Sequence, residues 1–294
     1  MHVCMHVVEW QQTISHLLYI YNEMKHSHMQ AIMPPKFKLP VHFSTKFKAF
    51  VFKGSPLPGL HPTLKSVFYK NYSYNKATQG PTTPAAKGKI TRLKPGKKAG
   101  ILVDNELKKT VQLLVKYNLP TSVFTSHDHQ IKHAVKISDQ LTDRDKAMLK
   151  KKLSNGTTRL WQTLIKYNLT PEAAQVAVGS KELRMATACD LVCRDSLNRK
   201  VIVEIKTGFA TYYHLHTGHF LTGVTPAQTD SPFNQHQLQL MMSIELYRRT
   251  FPLSVVAQGI IMKVDCLGVD VIPLQSFVKN NLSTICNLIQ NRKK

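Results

Sequence analysis

The sequence predicts an α/β protein in which helices flank a mixed central β-sheet. The apolar and polar alternation typical of strands runs through residues 201–206, 255–264 and 269–274. Apolar residues at helical spacing occupy residues 101–118, 139–153, 158–167 and 277–290. Helices, then strands, then helix, strands and helix are the order expected of a layered α/β domain. A chain of 294 residues can bury a core in one large domain or two modest ones.

The N-terminal third combines a helical segment with a basic, aromatic-rich region. Residues 1–32 have helical spacing, which ends at Pro34 and Pro35. No Asp or Glu occurs between His26 and Val103, and lysines and aromatic residues are interleaved there. Such a region can contact nucleic acid through phosphates and stacked bases, or it can form a small aromatic core that the lysines solvate. The sequence leaves both interpretations open.

A flexible connection is predicted at residues 79–89, which are rich in Gly, Pro and Thr. The basic residues Lys94, Lys97 and Lys98 follow it, just ahead of the next predicted helix. The predicted organisation is therefore 1–32 as a helical segment, 33–95 as the basic region and 96–294 as the main domain.

The most informative stretch joins an aspartate to an apolar strand that carries two charged residues. In the strand 201–206, successive side chains point to opposite faces, so Glu204 and Lys206 share one face. The polar residues 195–200 predict a turn that folds two strands into a hairpin and brings Asp190 beside Glu204. Two carboxylates and a lysine are what metal-assisted phosphodiester hydrolysis requires. The same residue types are also common on ordinary solvent-facing strands.

These residues resemble the PD-(D/E)XK nuclease superfamily, which joins an aspartate to an E-x-K on the next strand. Here Cys189 stands where the family name has proline. Residues 232–242 resemble the glutamine motif of the branch that contains phage lambda exonuclease and the RecB-type nucleases. Gln237 is the position matched to that motif, with Gln239 as a close competitor, and Met241 stands where the usual tyrosine would be.

The same resemblance extends upstream to the first helix of the main domain. Residues 100–106 are similar to the family's first helix, which begins near a glycine and contributes an acidic residue. Glu106 is preferred over Asp104 for that role. The four segments occur in the family's order and together cover about residues 96–274.

The resemblance implies a restriction-endonuclease-like core with a mixed sheet, preceded by a basic N-terminal extension. It implies Mg²⁺ as cofactor, with Mn²⁺ as a substitute. The implied metal ligands are Asp190, Glu204, the Ile205 carbonyl and Glu106. Lys206 would position the attacking water, and Gln237 would orient Lys206 or a phosphate.

DNA is the expected partner because the chain has 40 Lys and Arg residues but only 17 Asp and Glu residues, which gives a net charge of +23. The predicted DNA contacts are Lys94, Lys97, Lys98, Tyr212, Tyr213 and His214. The histidines 214, 216 and 219 could suggest a zinc site, but a DNA-contacting loop is preferred because a fourth ligand is not evident. No bilayer-length apolar run, secretory signal, C-x-x-C pair or phosphate-binding G-x-x-x-x-G-K-[ST] loop occurs.

The expected function is a Mg²⁺-dependent exonuclease that acts on DNA ends in recombination, repair or genome processing. Two alternatives stay open: an inactive DNA-binding or packaging protein with a nuclease-like fold, and a structure-specific endonuclease. A homo-oligomer and a single-strand annealing or replication partner are compatible with the resemblance. The expected location is intracellular, in the nucleus or at a site of viral DNA replication, and the protein is not expected to be secreted.

Overall fold

The centre of the fold is a five-stranded mixed β-sheet whose strands follow one another in chain order. The strands are β4 (Thr170–Ser180), β5 (Met185–Arg194), β6 (Lys200–Thr207), β7 (Val256–Val264) and β8 (Val269–Pro273). All neighbouring strands are antiparallel except β6 and β7, which are parallel. A parallel pair needs a crossover connection, and the helix Pro232–Thr250 lies in this one. This sheet confirms the predicted α/β class.

The computed structural model describes residues 41–44, 49–69, 95–119, 121–124, 141–150, 152–208, 213–214, 218–265 and 268–292. Its helices are α1 (Leu60–Val67), α2 (Pro95–Tyr117), α3 (Asp143–Lys150), α4 (Asn155–Lys166), α5 (Pro232–Thr250), α6 (Ser276–Asn280) and α7 (Leu282–Gln290). A 3₁₀ turn covers Thr121–Phe124. The N-terminal helical segment predicted at 1–32 lies outside the described residues. None of the helices in the described ranges is long and apolar enough to cross a membrane.

Strand β6 sends alternate side chains into two separate hydrophobic cores. Val203 and Ile205 pack on one face of the sheet, where α2 and α4 supply the helical residues of the core. Ile202 packs on the opposite face with α1, α5 and α7. Glu204 and Lys206 continue the Ile202 face, as the two-residue period of a strand requires. The predicted separation of these two charged side chains from Val203 and Ile205 is confirmed.

The hairpin predicted between the Asp190 strand and the E-x-K strand is also confirmed. Residues of β5 and β6 pair in antiparallel register from Arg194 with Lys200 to Leu191 with Val203. In the turn between them, Asp195 accepts hydrogen bonds from the backbone of Leu197 and Arg199, as expected of aspartate at the start of a turn.

A second, smaller sheet precedes the main one and packs against it. Its strands are β1 (Val41–Ser44), β2 (Ala49–Phe52) and β3 (Ser55–Leu57), and all its pairs are antiparallel. Val41 and Leu57 form a small core with Ala186 of β5. Leu64, Phe68 and Tyr69 are buried in the core shared with α5. The described part of the basic region is therefore part of the same folded unit as the main sheet.

In the basic region, the strands β1, β2 and β3 and the helix α1 are not predicted from the sequence. In the main domain, two elements differ from the sequence prediction. Strand β4 was not predicted, although it forms one edge of the main sheet. The helix predicted at 277–290 is two helices, α6 and α7, which meet at Asn281. The side chain of Asn281 donates to the carbonyl oxygens of Phe277 and Thr225, so it is engaged at the junction of the two helices.

Candidate functional site

The candidate site lies where the hydrogen-bond ladder between β5 and β6 ends. The last paired residues are Leu191 and Val203. Beyond them, the side chain of Asp190 accepts a hydrogen bond from the backbone N–H of Ile205, with 2.8 Å between Oδ2 and N. A carboxylate thus takes the place that a backbone carbonyl would have in a continuing ladder. This contact holds Asp190 against β6, beside Glu204.

Glu204 and Lys206 form an ion pair on the same face of β6. Their side chains are 10% and 16% exposed, and the Lys206 Nζ lies 2.6 Å from the Glu204 Oε1. Lys206 also donates to the Oε1 of Gln239, at 3.0 Å. An ammonium has three protons, so these two contacts leave one for a water or a phosphate oxygen.

Two carboxylates share this poorly solvated site with one ammonium. Burial raises the pKa of Asp190 to about 8, and the negative charge of Glu204 contributes in the same direction. Burial alone would lower the pKa of Lys206, but the charges of Glu204 and Asp190 outweigh burial and raise this pKa. Lys206 is therefore an ammonium that neutralises and orients groups, and it is not a general base in this state.

Helix α2 brings Asp104, and not Glu106, to these charges. Burial raises the pKa of Asp104, the Lys206 charge lowers it and the Glu204 charge raises it, so Asp104 lies within electrostatic range of both. The Glu106 carboxylate instead accepts hydrogen bonds at the start of α4, from Ser154 N at 3.0 Å and from Thr157 Oγ1 at 2.8 Å. Residues two apart on a helix do not share a face, so only one of the two can reach the site.

Helix α2 passes close to the end of β6 because residue 100 is glycine. A Cβ added at Gly100 would lie 2.6 Å from the Thr207 Oγ1, which is closer than real Cβ atoms approach. The close approach of the helix to Thr207 therefore explains why a glycine stands at the start of the predicted first helix. It allows the helix that carries Asp104 to lie beside the strand that carries Glu204 and Lys206.

Of the two candidate glutamines, the structure brings Gln239 to Lys206. Gln237 faces β8 and the start of α6, where its Nε2 donates to Pro273 O at 3.3 Å and its Oε1 accepts from Gln275 N at 2.9 Å. Both side chains lie on α5, which begins with the cap Ser231. They point in different directions because they are two residues apart.

Sequence reasoning missed His61, which reaches the site from α1. Its Nδ1 lies 3.0 Å from the Nε2 of Gln239. Because a lysine only donates, the amide oxygen of Gln239 faces Lys206 and the amide nitrogen donates to His61. The Nδ1 of His61 is then an acceptor, so the ring carries its proton on Nε2. Burial and the Lys206 charge lower the pKa of His61, in keeping with this neutral form.

The predicted DNA-contacting residues have different positions. Lys98 and His214 are exposed. Tyr213 is only 2% exposed, and its Oη lies 3.2 Å from the Nδ1 of the buried His236. Burial also raises the pKa of Tyr213. This ring packs within the fold and has no exposed face for a base.

The other predicted contacts are not described at the side-chain level. Lys94 and Tyr212 lie outside the described residues, and Lys97 is described only as part of the α2 backbone. His216 also lies outside the described residues, so the preference for a DNA-contacting loop over a zinc site at His214, His216 and His219 stays a prediction.

A small cleft of about 270 Å³ opens at this site. Its polar lining includes His61, Asp190, Glu204, Lys206 and Gln239. Among the described residues, no group of three or more His, Cys, Asp or Glu side chains is arranged to hold a metal ion. The cleft therefore combines the carboxylates of Asp190 and Glu204 with one lysine and with the neutral side chains of His61 and Gln239.

The chemistry of the donors nevertheless fits a hard divalent cation. Asp190 and Glu204 offer carboxylate oxygens, which such ions prefer. The N–H and C=O of a strand residue point to the same side, so the Ile205 carbonyl lies on the edge of β6 that faces Asp190. Burial and Glu204 both penalise the ionised form of Asp190, and a cation would offset that penalty.

Comparison with known proteins adds little to this geometry. No family model and no curated protein match the chain. A solved structure titled "Crystal structure of SSO0001" aligns with it at 12% sequence identity and a TM-score of 0.24. The alignment covers 67% of this chain and 85% of that chain. A TM-score this low carries no argument about fold or function.

Proposed function

We propose that the protein is a metal-dependent deoxyribonuclease with a restriction-endonuclease-like core, similar to the exonuclease branch of the PD-(D/E)XK superfamily. The observation that supports this most directly is the meeting of Asp190, Glu204 and Lys206 in one cleft. Two carboxylates are rarely buried next to a single lysine, because an unpaired charge is costly away from water. Binding of a cation and a phosphate would account for this arrangement.

Each residue of the cleft has a definite task in this proposal. Asp190, Glu204 and the Ile205 carbonyl would hold Mg²⁺, which would supply Lewis-acid activation of a water and of the phosphodiester. Lys206 orients the attacking water or a phosphate oxygen with the proton that Glu204 and Gln239 leave unused. Gln239 holds the ammonium in place, and Asp104 adds a further negative charge within electrostatic range of Lys206.

Support for a DNA partner comes from charge. The chain has a net charge of +23, and lysines that neutralise phosphates give affinity that does not depend on sequence. Helix α2, which carries Asp104, also presents Lys98, Lys108 and Lys109 to solvent. These exposed lysines are available to contact phosphates of a bound DNA.

The test is degradation of end-labelled linear DNA and closed circular DNA by the full chain, with Mg²⁺ or with EDTA. Mg²⁺-dependent loss of linear DNA alone identifies an exonuclease, and cutting of circles identifies an endonuclease. Asp190→Ala is expected to abolish cleavage and to keep most DNA binding, because binding depends on the lysines. Full activity in this variant, or DNA binding by the wild type without cleavage under Mg²⁺ or Mn²⁺, would contradict the proposal.

A further inference from the structure

Gln175 has a left-handed backbone inside strand β4, with a φ of +55°. Five other described non-glycine residues have positive φ, and all of them lie in turns or just after a helix: Lys53, Asn118, Asn168, Arg184 and Asn198. A left-handed L residue in the middle of a strand is strained, and it persists only where the surrounding structure holds it. Such strain is concentrated at functional sites.

The strained residue stands opposite Asp190. The flanking antiparallel pairs are Ala174 with Leu191 and Val176 with Cys189. The Nε2 of Gln175 donates to the Oδ1 of Asp190 at 3.3 Å. The backbone N–H of Ile205 donates to Oδ2 at 2.8 Å. The two oxygens of one carboxylate are thus held by the two neighbouring strands, β4 and β6.

We propose that Gln175 is a positioning residue for Asp190, an inference that rests on the proposed function. The two hydrogen bonds fix the plane of the carboxylate, and so the direction of the lone pairs that remain for a cation. Gln175 acts through Asp190 and does not touch DNA. The left-handed backbone is the means by which an edge strand directs this amide at the buried carboxylate.

Two substitutions separate the side chain from the backbone. Gln175→Gly removes the amide and relieves the backbone, because glycine adopts positive φ freely. Gln175→Asn keeps an amide on a residue that tolerates this conformation, but its side chain is one methylene too short to reach Asp190 in the same way. Asn168→Gly is the matched control, because it relieves a left-handed residue in the turn after α4.

The experiment measures the melting temperature of each full chain in EDTA and its rise with increasing Mg²⁺ or Ca²⁺. The rate of DNA cleavage against Mg²⁺ concentration and the DNA affinity in EDTA are measured in parallel. Both Gln175 variants should need about 10- to 100-fold more Mg²⁺ for the half-maximal rise and for the half-maximal rate. Melting in EDTA and DNA affinity should be preserved, and Asn168→Gly should match the wild type.

Three results in the variants would overturn the inference. They are a wild-type metal requirement in both Gln175 variants, an equal change in Asn168→Gly, and a fall of melting temperature in EDTA that accounts for the lost metal response. Failure of the proposed function gives a different result. A wild type whose melting responds to Mg²⁺ without any cleavage would refute the nuclease, and the melting series would still decide the role of Gln175. A wild type with no metal response at all would overturn the inference directly.

Discussion

The two ends of strand β6 carry clusters of charged residues that differ in composition. Two cationic side chains share one carboxylate at the start of the strand, and two carboxylates share one ammonium at its end. At its start, the outer cluster joins Lys200 and Arg194 to the single carboxylate of Glu172, with side chains 25–45% exposed. Six residues later, the inner cluster places one ammonium, that of Lys206, among the carboxylates of Asp190 and Glu204, and it is more deeply buried. The outer cluster is an ordinary surface ion pair. The inner cluster buries two carboxylates beside one ammonium and raises the pKa of Asp190 to about 8, an arrangement that fold stability alone does not explain.

The largest expected difference between the clusters is in catalysis. Lys206→Ala should lower the single-turnover rate of cleavage of end-labelled DNA about 10²- to 10³-fold, because a donor aimed at the reacting phosphate is lost. Lys200→Ala, on the same strand, should stay within about twofold of the wild type, because exposed ion pairs contribute little. Equal losses in the two variants would show that the inner cluster has no special role.

The second difference is in the pH dependence of stability without metal. Because the folded-state pKa of Asp190 is about 8, against an ordinary value of 3.8, the folded protein holds one more proton than the unfolded chain between these values. The free energy of unfolding should therefore fall as the pH rises through this window, by at most about 1.4 kcal/mol per pH unit from this group. Asp190→Asn should remove this slope and stabilise the protein at pH 8.

Urea denaturation in EDTA at pH 5, 6.5 and 8 measures this slope. Asp195→Asn, in the exposed turn, is the control, because hydrogen bonds from Arg199 lower the pKa of Asp195 and its titration lies below the window. This control should keep the wild-type slope. An unchanged slope in Asp190→Asn would mean that Asp190 is ionised in the folded protein at neutral pH.

The smallest expected effects distinguish the two acidic residues of α2. Asp104→Asn should lower the cleavage rate about tenfold, as expected for a residue that supports a metal site, with unchanged stability. Glu106→Gln should keep the rate per folded molecule and lower the free energy of unfolding by about 1–2 kcal/mol, because a carboxylate at the start of α4 is lost. Cleavage rates and urea denaturation of both variants measure these changes. The reverse pattern would restore Glu106 as the site residue.

The inner cluster could be predicted from sequence because its geometry is local. A short turn joins β5 to β6, and the two-residue period of a strand puts Glu204 and Lys206 on one face. The inward-facing position of Glu106 could also be predicted from the sequence. Glu106 falls on the same helical stripe as the buried residues Val103 and Thr110, which marks it as an inward-facing residue.

Other features of the site and the sheet could not be predicted from the local sequence pattern. Both faces of α5 are buried, so hydrophobic periodicity cannot choose between Gln237 and Gln239. After Thr170, strand β4 continues with Pro171, Glu172 and two alanines, which do not favour a strand, and its pairing with β5 overrides that preference. His61 and Gln175 join the site only through tertiary contacts, which a sequence pattern does not record.

The contact between His61 and Gln239 also has a consequence for the time at which the site forms. The two residues are separated by 178 positions in the chain, and helix α1 packs into the same core as α7 near the C-terminus. During synthesis on the ribosome, Asp190, Glu204 and Lys206 emerge well before the glutamine and the last helix. A partly made chain therefore has its acidic residues without the support that orients Lys206, and the complete cleft exists only after Gln239 and the rest of α5 have been translated.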